Sequence, residues 1–135
     1  VDWESSFLAD RYVDLAAVAN FFTSDSAGET ALMTAYFRAP PTAEQSARMF
    51  MARQISLIFY GVSFLTGVAA ERPGLTVEGH GEPVRSLADL HGAIGEGTFV
   101  LDARQGRLTY GLACLRTAGA NLSSPGFAKA RKTLA

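Results

Sequence analysis

The residues from Thr42 to Ala70 constrain this chain more than any others. Pro40-Pro41 stands in front of them, and a residue before proline avoids helical angles, so a preceding helix must end there. Thr42-Ala43-Glu44-Gln45 then has the spacing of a capping box. The pattern predicts one helix to about Ala70, the longest in the chain. Its first half is amphipathic, with Glu44, Gln45, Arg48 and Arg53 on the wet side. Its second half is apolar nearly all round: Ile55, Leu57, Ile58, Phe59, Val62, Phe64, Leu65 and Val68. A helix of that kind is either buried or in a membrane. Only 17 uncharged residues lie between Arg53 and Glu71, and they include Gln54, Ser56, Ser63, Thr66 and two glycines. A membrane span wants roughly 20 mostly apolar residues. The capping box and amphipathic first half belong to soluble helices, so we expect a central buried helix. A membrane-associated protein built on Gln54 to Ala70 is the competing reading.

The remaining elements read as helices arranged around that one. Ser26-Ala27-Gly28-Glu29 has capping-box spacing, with Ser26 as N-cap, and predicts a helix over Glu29 to Phe37 with Leu32, Met33, Tyr36 and Phe37 inward. Arg72-Pro73-Gly74 ends the long helix. Residues 71–85 are rich in Gly and Pro and read as a loop, with Leu75-Thr76-Val77 as an extended piece. Ser86-Leu87-Ala88-Asp89 opens a short helix to about Ile94, ended by Gly95-Glu96-Gly97. Phe99-Val100-Leu101 reads as a short strand or an apolar plug. Leu108, Leu112, Leu115 and Ala118 or Gly119 recur at helical spacing and predict a helix from Leu108 to Leu122. Ser124-Pro125 is an N-cap followed by proline at the first helical position, with Phe127 inward. With no repeat and no clear linker, we expect one domain, almost all helical.

The candidate chemistry lies at the other end. The chain opens Val1-Asp2-Trp3-Glu4, an acid between two residues that favour buried strands. A carboxylate keeps its charge in such company only with a partner. We expect a short N-terminal strand whose end presents Asp2 at a site, then a loop from Glu4 to Tyr12. Asp14 follows, directly before Leu15-Ala16-Ala17-Val18-Ala19, where an N-cap belongs. Spacing alone makes Asp2 a strand-end acid bonded to backbone amides and Asp14 a structural residue.

V-D-W-E followed by D-R-Y-V-D-L-A resembles the segment after the catalytic loop in the aminoglycoside phosphotransferase and choline/ethanolamine kinase superfamily. Its members commonly read I-D-W-E-Y-A and then G-D-x-x-x-D-L-A. The resemblance is clearest from Val1 to Phe22. It runs more loosely through Tyr36-Phe37 and the long helix, and beyond Glu71 it implies only C-terminal helices. It implies a mainly α fold, the helical C-terminal subdomain of a protein-kinase-like catalytic lobe. Asp2 would then ligate the Mg²⁺ that bridges the ATP phosphates, as the D-F-G acid does in protein kinases. Asp14 would brace the catalytic loop from the helix start. Glu4 would lie near the metal or substrate, or be a solvated loop acid. Tyr36 and Tyr60 would line the substrate pocket, where packing alone makes them core residues.

The family's phosphate-covering loop, its ATP-binding Lys and its catalytic loop are not in these residues, and the resemblance implies that they precede Val1. The whole would be a cytoplasmic enzyme passing the γ-phosphoryl group of ATP to a hydroxyl on a small cationic molecule, aminoglycoside- or choline-like. This segment alone would be inactive, its partner being the missing N-terminal kinase portion. Ser5 stands where choline kinases often carry Tyr, which argues against a choline-type aromatic cage. The alternative is a non-catalytic helical interaction module derived from a kinase fold.

Composition narrows the classes further. A net charge of −1 gives no nucleic-acid footprint. At 48% hydrophobic and 19% charged, the chain is too apolar for intrinsic disorder and leaves surface for a partner to cover. A single Cys114 excludes an internal disulfide and fits a reducing compartment. The acidic first residues lack the basic n-region of a signal peptide. The glycines of residues 92–97 lack the Lys-Ser/Thr of a phosphate loop and read as a helix end. His80 and His91 read as surface residues, Cys114 as an inert core thiol, and Lys129, Arg131 and Lys132 as a solvated helix end.

Overall fold

The computed structural model describes residues 10–23, 25–71 and 85–135. These form six α-helices and no strand: α1 (Tyr12–Phe22), α2 (Ser26–Phe37), α3 (Ala43–Glu71), α4 (Leu87–Gly95), α5 (Arg104–Leu122) and α6 (Pro125–Leu134). The mainly α architecture is as expected. The N-terminal strand and the extended piece at Leu75 to Val77 fall outside the described residues.

Three of the sequence's start signals act as read. Thr42 Oγ1 accepts from the Gln45 amide at 3.2 Å, and Gln45 Oε1 accepts from the Thr42 amide at 2.8 Å. Ser86 and Asp89 close the same reciprocal box at the head of α4. Ser124 Oγ accepts from the Phe127 amide, with Pro125 opening α6. Two starts differ. Helix α1 begins at Tyr12, so Asp14 sits in the first turn and is not the N-cap. Asp10 does the local work instead, its Oδ1 accepting from the Tyr12 amide at 3.1 Å. Burial of the Tyr12 ring against Phe37, centroids 5.9 Å apart, draws the helix start three residues earlier than the acid implied. Helix α2 is capped by Asp25, not Ser26, through a 2.8 Å bond from the Gly28 amide. Asp is as good an N-cap as Ser, and it comes one residue sooner. Helix α2 ends as Arg38 turns left-handed at φ 56°, ahead of Pro40-Pro41.

Helix α3 is the axis on which α1, α5 and α6 pack. It meets α5 most closely at Gly61 and Gly111. A Cβ on Gly61 would lie 2.7 Å from Leu115 Cγ and 3.1 Å from the Gly111 carbonyl oxygen. One core cluster joins Leu57, Leu90, Tyr110, Ala113, Cys114 and Ala118. A second joins Tyr12, Leu15, Ala19, Met33 and Met49. Phe99 and Leu101 pack against the first cluster as a plug rather than a strand. Helix α5 begins at Arg104, one turn earlier than read, because Gly106 lets the plug cross its first turn. A Cβ there would lie 2.0 Å from the Val100 carbonyl oxygen.

Two polar ties cross the bundle. Arg53 is not on the wet side. Its Nε donates to Asn20 Oδ1 at 2.9 Å and its Nη1 pairs with Glu29 Oε2 at 2.5 Å, linking α3 to α1 and α2. Gln54 is buried and accepts from Asn121 Nδ2 at 2.9 Å, linking α3 to α5. A buried amide with both ends satisfied is tolerated.

The apolar second half of α3 is central, but it is not buried all round. Ile55, Phe59 and Val62 are 68%, 65% and 50% exposed. They recur at i, i+4 and i+7, so they form one stripe. By length and composition α3 could cross a membrane, with an 18-residue window of mean hydropathy 1.3 that is 22% buried. The core helix of a soluble protein passes the same test.

Candidate functional site

Of the sequence-derived site residues, Asp2 and Glu4 lie outside the described residues. Asp14 and Tyr60 are brought together. They stand on opposite walls of a cleft of about 550 Å³ between α1 and α3, closed at one end by Leu134 of α6. Tyr36 is not part of it. It is 50% exposed on α2, edge-on to Phe37 at 5.0 Å. That corrects its reading as an inward residue: the α2 face that packs inward is centred on Met33, and Tyr36 lies to the side of it.

Helical spacing builds the cleft walls. On α1, Val13, Asp14 and Ala17 face it from successive turns. On α3, Ala52, Ile55, Ser56, Phe59 and Tyr60 do the same. The floor is therefore apolar, and the Asp10, Asp14 and Arg48 side chains gather at the α1 N-terminal end. Arg48 is matched by its own helix, Nη2 lying 2.9 Å from Glu44 Oε1. The Tyr60 ring is fixed edge-on between Phe21 at 5.6 Å and Phe59 at 5.7 Å. Behind Tyr12 and Arg48 a second, polar recess of about 590 Å³ opens toward Arg11, Thr42 and Gln45. Burial pushes the Tyr12 phenol up, with Arg48 pulling the other way, so the partition between the two recesses stays neutral. A cleft of this size, mostly apolar with a few convergent polar groups, is suited to holding a small molecule or a segment of chain.

The metal assignment rests on Asp2 alone. Among the described residues no group of three or more His, Cys, Asp or Glu could hold an ion. His80 also lies outside them. His91 is not a surface residue. It is half-buried, and its Nε2 lies 2.8 Å from Tyr110 Oη. Cys114 is in the core, where burial pushes its thiol up to about 12. Sequence reasoning missed Asp10, Arg48 and Phe59 as cleft residues. The Val13/Ala17 and Ile55/Phe59 spacings carried the signal, but they match those of core-facing stripes. No protein-family model, curated protein or solved structure matches this chain.

Proposed function

We propose that this chain is the C-terminal helical portion of a cytoplasmic, ATP-dependent small-molecule kinase of the aminoglycoside phosphotransferase/choline kinase type. The observation that carries the reading is the ordered motif V-D-W-E then D-R-Y-V-D-L-A, whose last acid lies in the first turn of a helix on the wall of an open cleft. In this reading Asp2 holds Mg²⁺ against the ATP phosphates and neutralises charge developing there. The base and nucleotide lobe lie upstream of Val1. That upstream portion packs on the α1–α3 cleft, its apolar side on Ile55 and Phe59 and its backbone amides on the Asp14 carboxylate. The acceptor is a small, cationic, hydroxylated molecule.

The test is Mg²⁺- and ATP-dependent phosphoryl transfer by the full native protein to a panel of hydroxylated amines. Asp2→Asn should lower kcat by about 100-fold or more, the scale of losing several kcal/mol of charge stabilisation. An Asp2→Asn protein as active as the parent, or no transfer to any acceptor, would overturn the reading. The 135 residues alone should turn nothing over.

The uncovered α3 stripe favours the second reading, a non-catalytic interaction module. Under it, the full protein would bind a partner through the same cleft and show no ATP turnover.

A further inference from the structure

Helix α4 is seated on the bundle by two buried apolar residues, Leu90 and Ala93, and, among the described residues, by one side-chain hydrogen bond to another helix. That contact is the 2.8 Å bond between His91 Nε2 and Tyr110 Oη of α5. Tyr110 is 2% exposed, and the imidazole is the partner its hydroxyl has among the described residues. The His91 ring rests on Phe21 of α1, centroids 5.3 Å apart. Phe21 in turn stacks on Tyr110, and Tyr60 and Phe64 of α3 complete the aromatic box.

The groups around this imidazole are phenols, a thiol and hydrocarbon. From α5 come Tyr110 and, behind it, Cys114. From α3 comes Tyr60, through Phe21. From α1 comes Phe21 itself. On α4, Asp89 is committed to the Ser86 cap. Among the described residues no carboxylate is placed to stabilise an imidazolium, and burial lowers the pKa of His91.

We propose that the His91–Tyr110 pair is an acid-released clasp that seats α4 when the imidazole is neutral and frees it when the ring is protonated. A neutral ring nitrogen can accept the tyrosine O–H. An imidazolium can only donate to the phenol oxygen, so protonation turns the bond round, leaves the buried hydroxyl proton without its acceptor and places a charge in a desolvated site. The released state keeps the ordinary histidine pKa of about 6.5, while the seated state has a lower one. Between the two values the released state binds more protons. The clasp is therefore at full strength above about pH 6.5 and weakens as pH falls through that range. Release would uncover Leu90, Ala93 and the stacked Phe21–Tyr110 pair, while α3 stays packed on α5, α1 and α6.

The experiment is amide hydrogen exchange on the full native protein at about pH 8 and about pH 5, either side of the ordinary histidine range and corrected for intrinsic rates. Protection of α4 should fall several-fold at the lower pH while α3 and α5 keep theirs. His91→Gln keeps a polar contact that does not titrate, and its α4 should be equally protected at both pH values. Acid-independent protection of α4 overturns the clasp. So does loss in step with α3 and α5, or the same acid loss in His91→Gln. If that variant does not fold, the imidazole NMR titration of the parent decides. His91 titrating below the ordinary range, with α4 amide shifts following it, supports the clasp; titration at or above that range overturns it.

Discussion

The close crossing of α3 and α5 makes the same substitution act in opposite directions at two points of one helix. Gly→Ala inside a helix gains about 1 kcal/mol of backbone propensity. At Gly67 nothing lies within 4 Å of the added methyl, so Gly67→Ala should keep that gain. At Gly61 the methyl would meet Leu115 Cγ and Cδ2 at 2.7 Å and the Gly111 carbonyl oxygen at 3.1 Å. Leu115 Cδ2 is a terminal methyl, but the branch carbon Cγ lies equally close, and the carbonyl belongs to the opposing backbone. Overpacking of this kind costs about 1–3 kcal/mol. Gly61→Ala should therefore range from neutral to destabilising by about 2 kcal/mol, leaving it about 1–3 kcal/mol below Gly67→Ala. At roughly 3–5 °C per kcal/mol for a chain of this size, the two melting temperatures should differ by about 3–15 °C. Thermal melts by far-UV circular dichroism, with urea unfolding at a shared m-value, would measure the gap. If the clash is the cause, Leu115→Ala should cost less in the Gly61→Ala background than in the parent. Gly61→Ala as stable as Gly67→Ala would refute the close-packed crossing.

Three further outcomes follow from the same geometry. A double-mutant cycle on Glu29 and Arg53, whose side chains are about three-quarters buried, should give a coupling of about 1 kcal/mol or more, whereas the exposed Glu44–Arg48 pair should give under about 0.5; equal couplings would deny Arg53 its bridging role. Cys114, with its thiol pushed up to about 12 by burial, should resist a thiol reagent at mildly alkaline pH in the native state and react fully in denaturant; rapid native labelling would contradict that burial. Phe59→Ser should change the stability of these 135 residues by no more than about 0.5 kcal/mol, yet weaken the full protein by more than that if a partner surface covers the cleft; equal effects in both would argue that nothing covers it.

What the sequence made legible was local. The Thr42–Gln45 and Ser86–Asp89 boxes and the Ser124-Pro125 start were readable because each bond spans three residues and needs no knowledge of the rest of the fold. Asp14 and Ser26 misled because a better-placed acid, Asp10 or Asp25, lay just upstream, and tertiary burial of Tyr12 settled the choice at α1. The site was legible in pieces. Asp14 and Tyr60 are 46 positions apart and share a cleft only because α1 packs along α3. Arg53 read as a solvated charge because its partners, Asn20 and Glu29, belong to two other helices. His91 read as a surface residue because only the α4–α5 packing brings Tyr110 to it. The Arg53 and His91 misreadings involved contacts with high sequence separation, which periodicity does not report.

The exposed stripe on α3 distinguishes a one-sided cover from a bilayer. Ile55, Phe59 and Val62 would each contribute about 1–2 kcal/mol on burial, so covering them is favourable under any reading. A span, however, asks that the helices packed on α3 also present hydrocarbon to lipid. Helix α6 packs along α3 and turns Lys129, Arg131 and Lys132 outward, and α5 turns Arg116 outward. Each such charge near the centre of a bilayer costs at least about 2.5 kcal/mol on the mildest scales. Arg116 follows Leu115, which meets Gly61 in the apolar half of α3, so it would carry that cost, whereas Lys129 lies beside Ala43, Ala47 and Phe50, ahead of that half. Arg53 and Gln54 add polar ties to Glu29, Asn20 and Asn121 within the same bundle. The apolar character of α3 is therefore directional: one side is spent on α5, α1 and α6, and on the other Ile55 and Phe59 line an open cleft edged by Asp10 and Asp14. A surface apolar on one side and acidic at one end is complementary to another protein surface with backbone amides to offer.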